Sequence, residues 1–215
     1  GKVAKGKEPK WKDEYIPLMK EHDVPDWYIK SCEKIKYMFP KAHAAAYVTN
    51  AFRIAWFKVH IPLAYYAAYF SIRAKAFDAS CMIFGKEKVK NKMKEIEMKN
   101  QKKEATKAEL DMYDDLEIVL EMYERGFEFL PVDLYESEAT RFKVQDNKLR
   151  PPLNSIPGFG GVAAQGIVDA RKDGKFMSID DLKIRAKIGA SGADLLKEFG
   201  CLEGMSQSNQ LSLFG

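Results

Sequence analysis

The fold of the C-terminal part of the chain is decided by residues 156–171, Ile156-Pro157-Gly158-Phe159-Gly160-Gly161-Val162-Ala163-Ala164-Gln165-Gly166-Ile167-Val168-Asp169-Ala170-Arg171. An apolar residue, then Pro-Gly-Phe-Gly, then a helix carrying Ala163, Ile167 and Arg171 predicts a helix-hairpin-helix. Gly158 and Gly160 allow a tight turn because glycine tolerates backbone angles that other residues avoid. Backbone N–H groups of such a turn, together with the N-terminus of the following helix, form a binding site for a phosphate.

This hairpin is predicted to hold duplex DNA through its backbone and without regard to sequence, since phosphate contacts carry no base information. We expect Gly161, Val162 and Ala163 to supply N–H groups, and Gly161 to let another backbone come close. Lys172 and Lys175 are expected to add positive charge nearby. The alternative is a plain helix–turn–helix in which the glycines only close the turn.

A second helical hairpin is predicted after this one, and short strands are predicted before it. A second hairpin is predicted over residues 180–203, with Ser178 as an N-cap and with Gly189 and Gly192 at its turn. Upstream, alternating apolar and polar residues predict strands at 127–130 and 140–144 and a return strand at 148–150. Asp146-Asn147 is the turn between the last two.

Helical periodicity dominates the first 125 residues. It predicts helices at about 27–38, 40–60, 62–73 and 112–125. Residues 86–109 alternate Lys and Glu around a thin apolar stripe, which is typical of a long exposed helix or a helix pair. The predicted fold class is therefore mainly α, with a helical domain, a small β element, a tandem helix-hairpin-helix module and a disordered tail.

The helix predicted at 40–60 carries a basic strip. Lys41 lies in its first turn, His43, Tyr47 and Lys58 share one face, and Arg53 flanks that face. Positive side chains beside a helix N-terminus favour an anion. The opposite face is apolar, with Val48, Phe52, Ala55, Trp56 and Val59. A polar face is usually only solvated, but the run of alanines at 44–46 leaves room for a ligand to approach.

Composition excludes several classes of protein. The net charge is only +4, so a nucleic-acid surface must be local rather than global. The three cysteines lie far apart and the three histidines do not cluster, which argues against a disulfide framework or a zinc site. No stretch is apolar enough to span a membrane. Without an initiator Met or a signal peptide, the chain resembles a piece of a longer polypeptide.

The last residues form a short motif on a polar lead-in. Residues 204–215 are expected to be disordered, and residues 205–209 to act as a tether. The motif is Gln210-Leu211-Ser212-Leu213-Phe214. Leu211, Leu213 and Phe214 suit an apolar groove on a partner, with Gln210 at its rim.

Several blocks carry a family resemblance: Phe39-Pro40-Lys41-Ala42-His43-Ala44-Ala45-Ala46-Tyr47, Arg53-Ile54-Ala55-Trp56-Phe57-Lys58, Lys34-Ile35-Lys36-Tyr37-Met38, Tyr65-Tyr66-Ala67-Ala68-Tyr69-Phe70, Arg125-Gly126-Phe127, Val132-Asp133-Leu134-Tyr135 and Ser137. They resemble the bacterial replicative DNA polymerase III α subunit of the PolC type. Thr49 and Asn50 depart from that family's usual apolar residues, and Gly215 follows its usual terminal Phe.

The resemblance implies a domain order. Residues 1–130 would be the polymerase fingers, 131–150 a small β element, 151–204 the tandem helix-hairpin-helix module that binds duplex DNA, and 205–215 a flexible tail with a sliding-clamp motif. The clamp-binding residues would be Gln210 to Phe214. Lys41, His43, Arg53 and Lys58 would line the triphosphate of an incoming deoxynucleoside triphosphate, with Tyr47 near the nascent base pair.

The resemblance also implies the partners: primer-template DNA, a deoxynucleoside triphosphate, a sliding clamp, and the palm and thumb of the same cytoplasmic polymerase, without a membrane. Phosphoryl transfer would use Mg²⁺ held by palm carboxylates that this segment lacks, so no catalytic residue is expected here. Asp111, Asp114 and Asp115 are expected to be solvated on a helix. Two alternatives remain, namely a non-catalytic DNA-binding and clamp-recruiting module, and a helical interaction protein.

Overall fold

The computed structural model describes residues 10–34 and 41–208. The chain forms two compact units, residues 1–56 and 57–215. Its elements confirm the mainly α class, since helices form most of the described chain and the one sheet in that part has two short strands.

The first unit consists of short helices followed by most of a long one. A π-helical turn at Trp11–Tyr15 leads into α1 (Ile16–Glu21), and α2 spans Asp26–Lys34. Helix α3 spans Lys41–His60, so it continues into the second unit. The predicted end of α2 near residue 38 falls on residues 35–40, which lie outside the described part of the chain.

The second unit begins with a helical layer. Helix α4 spans Pro62–Ile72, α5 Ala79–Met82, α6 Lys86–Gln101 and α7 Lys107–Glu124. Tyr66, Val89 and Leu116 are fully buried among them. The charged stretch at 86–109 thus forms one helix and the start of another, and α7 begins five residues earlier than the predicted Met112.

The early start of α7 has a local cause. Thr106 Oγ1 accepts a hydrogen bond from the backbone N–H of Glu109 at 3.2 Å, and the Glu109 carboxylate accepts one from the N–H of Thr106 at 2.8 Å. This capping box satisfies two N–H groups that a helix start otherwise leaves unpaired. Lys99 Nζ, 2.6 Å from Glu109 Oε1, helps to lower the pKa of Glu109 to about 2.

The β element is smaller than the sequence predicts. Strands β1 (Lys143–Gln145) and β2 (Lys148–Arg150) form an antiparallel hairpin. Its turn residues Asp146 and Asn147 have φ of 52° and 56°, as a tight two-residue hairpin turn requires. The predicted strand at 127–130 is wrong, since only Phe129 forms a single bridge, to Leu149, and the predicted start of β1 at Thr140 lies three residues too early.

Three helices complete the second unit: α8 (Gly161–Ala170), α9 (Ile179–Ala186) and α10 (Ala190–Glu198). A 3₁₀ turn, Leu153–Ser155, precedes α8, and a second, Arg171–Asp173, follows it. The N-cap at Ser178 is confirmed, because its Oγ accepts the N–H of Asp181 at 3.1 Å. Gly192 was wrongly predicted at the second turn and lies inside α10.

The close approach predicted at Gly161 is found instead at Gly166. A methyl group on Gly166 would collide with the carbonyl oxygen of Ala186, whereas one on Gly161 would make an ordinary contact with Thr140 Cγ2 at 3.5 Å. Helices α8 and α9 therefore pack as closely as they do only because residue 166 has no side chain.

The substitution Gly166→Ala should destabilise the chain by ~1–3 kcal/mol, because the added methyl group forces the two helices apart. Gly161→Ala is the matched control on the same helix and should leave the free energy of unfolding nearly unchanged. Urea unfolding followed by circular dichroism measures both. Equal stability of the two variants would contradict the close packing of α8 on α9.

Candidate nucleic-acid interface

The first hairpin turn has the backbone geometry predicted for it. Gly158 has φ of +79°, a conformation that side chains other than glycine rarely adopt. Phe159 is 4% exposed and anchors the turn in the core. Its N–H donates to the Ile156 carbonyl at 3.0 Å. The turn thus leads directly into α8, and the tip of the turn faces solvent.

The fold of the chain does not require a glycine at position 160. It is the N-cap of α8 with φ of −71° and ψ of 152°, which any residue can adopt. A methyl group there would meet nothing within 4 Å. The first N–H groups of a helix have no partner within it, and those of α8 belong to Gly161, Val162 and Ala163. Gly160 and Gly161 are exposed, and Val162 is 91% exposed, so the start of α8 lies at the surface.

A second turn repeats this conformation. Lys187 has φ of +56°, Ile188 is 7% exposed, and Gly189 is an extended N-cap of α10 with φ of −77°. In both turns a left-handed residue, a buried apolar residue and an extended glycine follow one another. A methyl group on Gly189 would also meet nothing within 4 Å.

Lys172 and Lys175 are not near the first turn. Both follow the C-terminal end of α8, and its ten residues place them about 15 Å from its N-terminus. Lys172 Nζ is 2.6 Å from Asp169 Oδ1, and Lys175 Nζ lies over the Tyr135 ring at 5.8 Å. The charge that they add cannot act on a phosphate at the turn by direct contact.

Two arginines hold the module together, and sequence reasoning did not identify this role. Arg171 donates to the carbonyls of Leu134 and Ser137 at 3.0 and 2.7 Å. Arg185 donates to the carbonyls of Ala170, Gly174 and Lys175 and pairs with Asp181. Carbonyl acceptors leave no sequence signal, because every residue has one.

Helix α3 presents the predicted basic strip at the surface. Lys41, His43, Tyr47 and Arg53 are all exposed, and the His43 and Tyr47 ring centroids lie 4.5 Å apart. These two rings, with Ala44 and Val48, line a shallow groove of about 480 Å³. The opposite, apolar face is also exposed, with Phe52 at 73%, Val59 at 66% and Trp56 at 51%.

Lys58 is already held by a carboxylate. Its Nζ lies 2.6 Å from Glu121 Oε2, and both side chains are about one-third exposed, at 30% and 35%. Tyr66 Oη donates to Glu121 Oε1 at 3.1 Å, and burial raises the pKa of Tyr66 to about 12, so it keeps this proton. Arg125 donates to Tyr66 Oη and to the Lys58 carbonyl.

The prediction of solvated aspartates is wrong for Asp115. This residue is 3% exposed and accepts the N–H groups of Lys75 and Ala76 at 3.0 and 2.8 Å. Burial raises its pKa. Asp115 therefore fixes the loop after α4. Within residues 10–34 and 41–208, no group of three or more His, Cys, Asp or Glu is placed to hold a metal ion.

The start of the tail is held more firmly than the sequence predicts. The carbonyls of Ser206 and Gln207 accept the N–H groups of Ile179 and Asp180 at 2.9 and 3.1 Å, and Met205 packs on the core. The predicted free segment from residue 204 is therefore wrong for residues 205–207. Gln210, Leu211, Ser212, Leu213 and Phe214 lie outside the described residues. None of the described helices is both long and apolar enough to cross a membrane.

Comparison with known proteins shows which sequences this chain is similar to. A model of the helix-hairpin-helix motif matches residues 126–211. The DNA polymerase III PolC-type of Oceanobacillus iheyensis is 53% identical over 212 residues, which are 99% of this chain and 15% of that protein. The PolC-type enzyme of Clostridium perfringens is 50% identical over 214 residues, 100% of this chain and 14% of that protein.

A further PolC-type relative, from Streptococcus suis, is 52% identical over 200 residues, which cover 93% of this chain and 14% of that protein. The resemblance inferred from the sequence is confirmed: over nearly its whole length, the chain is similar to a segment of PolC-type DNA polymerase III. It spans about one seventh of the length of these relatives.

Proposed function

We propose that this chain is part of a replicative DNA-directed DNA polymerase, in which it positions the incoming deoxynucleoside triphosphate, grips the primer-template duplex and tethers the enzyme to a sliding clamp. The observation that carries the proposal is the first hairpin turn. It occurs in a chain that is about 50% identical to PolC-type DNA polymerase III over nearly its whole length. That turn leaves a helix N-terminus open to a ligand, at a glycine that the fold itself does not require.

Duplex DNA is the ligand proposed for the hairpins. The dipole of α8 favours an anion at its N-terminus, and its N–H groups are donors suited to phosphate oxygens. Donors of this kind do not distinguish bases, so binding is independent of sequence. The repeated conformation at Lys187, Ile188 and Gly189 supports a module built from two such turns.

The triphosphate is the ligand proposed for the strip on α3. Lys41, His43 and Arg53 supply exposed donors, and Tyr47 offers a ring to the nascent base pair. Lys58 joins them only by leaving or sharing Glu121. Glu121 would then keep the hydrogen bond from Tyr66 and would still lie 3.8 Å from Arg125.

The catalytic Mg²⁺ is assigned to the palm, elsewhere in the polypeptide. The buried carboxylate on α7, Asp115, is already occupied by two backbone N–H groups, so it does not fit a metal site. The segment alone should therefore be inactive. The exposed apolar face of α3 supports the same arrangement, because the palm and thumb would cover it in the complete cytoplasmic enzyme.

The tail is proposed to bind the sliding clamp through Gln210 to Phe214. Because the backbone is anchored at Ser206 and Gln207, a clamp bound by this motif is held close to the DNA-binding module rather than on a long tether. A short connection gives a high effective concentration of clamp, so a weak contact suffices for long synthesis.

Gly160→Val should weaken binding of the chain to duplex DNA at least about tenfold, because its side chain blocks the approach of a phosphate and removes a charge-assisted bond. The fold should persist, since the space at this position is open. Fluorescence anisotropy with a labelled duplex measures the affinity. Gln165→Val, at an exposed position of α8, is the control and should bind normally. Sequence-selective or salt-independent binding would contradict the proposal.

Arg53→Ala in the full-length polymerase should raise KM for the nucleotide or lower kcat. The change should correspond to a loss of ~1–3 kcal/mol of binding free energy in the ground state or the transition state. Steady-state primer extension measures both constants. Arg53→Lys keeps the charge and should recover part of the loss, although a lysine cannot form the bidentate bond. Wild-type kinetics in alanine variants of Lys41, His43, Arg53 and Lys58 alike would rule out this nucleotide site.

In the full-length polymerase, deletion of residues 210–215 should leave short primer extension without clamp unchanged, because the hairpins remain intact. It should abolish clamp-stimulated long synthesis. Gel analysis of product length with and without clamp distinguishes the two effects. Replacing only Leu213 and Phe214 with alanine should reproduce the deletion, and full clamp stimulation in either variant would refute the motif.

A further inference from the structure

A polar cleft lies beside the N-terminus of α8, and the function proposed above does not use it. It has a volume of about 230 Å³, and its walls come from the end of α4, the loop after it, and the two segments around Thr140 and Asn154. Thr140 lines the cleft and also lies beside the first turn of α8, since its Cγ2 would be 3.5 Å from a methyl group added to Gly161. The cleft therefore adjoins the proposed phosphate site.

The backbone fixes the two polar segments side by side. The N–H of Leu153 donates to the Glu138 carbonyl at 2.9 Å, and that of Asn154 donates to the Ala139 carbonyl at 3.1 Å. These bonds bring Thr140 and Asn154 to the same rim. Both residues are exposed, so their side chains are available to a ligand in solution.

The polar groups of the cleft fall into two sets. Ser71 and Ser155 are engaged internally: Ser71 Oγ donates to the Ala67 carbonyl and accepts the N–H of Phe142, and Ser155 Oγ donates to the Pro152 carbonyl. Among residues 10–34 and 41–208, neither the Thr140 hydroxyl nor the Asn154 amide makes a hydrogen bond. Lys75 is 73% exposed and reaches Asp111 only at 3.8 Å.

The remaining lining is apolar. Phe77 and Phe142 form part of the floor, with ring centroids 4.8 Å apart, and Phe70 lies beside them. Phe70 and Phe142 are buried, so the surface that the cleft offers to a ligand consists mainly of hydroxyl, amide and ammonium groups. The phosphate of a DNA backbone suits these groups, because its oxygens accept hydrogen bonds. Ser, Thr, Asn and Lys are ordinary partners of phosphate and sugar in protein–DNA contacts.

We propose that this cleft binds the sugar–phosphate next to the one held by the first hairpin, on the same DNA strand. Thr140 and Asn154 donate to its phosphate oxygens, and Lys75 supplies charge. The cleft extends the grip by one nucleotide along the backbone and fixes the direction in which the strand leaves the turn. This inference rests on the proposed binding of duplex DNA by that turn.

The test compares charge changes of both signs at Asn154 in the complete 215-residue chain. Asn154→Asp should weaken binding to a labelled duplex by about fivefold, the size expected for two like charges close together in water. Asn154→Arg should tighten binding, and the plot of log K against log salt should become steeper by about 0.9, the contribution of one additional phosphate contact. A gain in affinity cannot arise from a misfolded variant.

Asn91 provides the matched control. It is exposed in the middle of α6 and is not part of the cleft, so Asn91→Asp and Asn91→Arg change the net charge equally without touching the proposed site. If the Asn154 and Asn91 variants bind alike while Gly160→Val still loses affinity, the cleft proposal is overturned and the hairpin proposal stands. If the unaltered chain fails to bind duplex DNA, both are overturned.

Discussion

The close approach of the Ala186 carbonyl to Gly166, which leaves no room for a side chain, is the constraint on which the helix-hairpin-helix region depends. It sets the distance between α8 and α9. Because each hairpin turn is attached to one of these helices, that distance also sets where the two turns lie relative to each other. Arg185 strengthens the arrangement by bonding to three carbonyls around the end of α8. One glycine and one arginine therefore fix the positions of the two turns relative to each other.

The other half of the second unit depends on polar side chains that accept hydrogen bonds from backbone N–H groups. Asp115 holds the loop after α4 through two N–H groups, and Ser71 accepts the N–H of Phe142. Unpaired buried polar groups are costly, so each of these bonds fixes a loop as firmly as apolar packing fixes a helix. The consequence for function is that Phe142 and its neighbours are held in place beside the first turn of α8, where the polar cleft opens.

Helix α3 exposes an apolar face at the surface of the described chain. A helix with Phe52, Trp56 and Val59 at the surface is unusual for an isolated domain, since contiguous apolar patches mark interaction sites. The PolC-type relatives are about seven times longer than this chain. The C-terminal hairpins, by contrast, have their own core around Leu153, Ile167 and Leu196.

The sequence by itself determined the helices, the first hairpin and the family. These follow from local signals: apolar periodicity, Pro-Gly-x-Gly, the Asn-containing turn, and a Ser N-cap. It also placed Lys41, His43 and Arg53 at exposed positions of α3, because that needs only the pitch of a helix. The shortened β element was missed because single bridges change strand ends without altering the apolar pattern. The early start of α7 was missed although Thr106-Lys107-Ala108-Glu109 is a capping-box pattern that the sequence shows.

Only the tertiary structure decided which predicted side chains are available and which residues meet. Lys58 pairs with Glu121, and Asp115 is buried, because residues distant in sequence fold against them. Lys172 and Lys175 are close to the first turn in sequence but lie at the far end of α8, since a helix separates its own ends by 1.5 Å per residue. The cleft joins segments around residues 75, 140 and 154 that share no local pattern, so no reading of the chain in order could have assembled it.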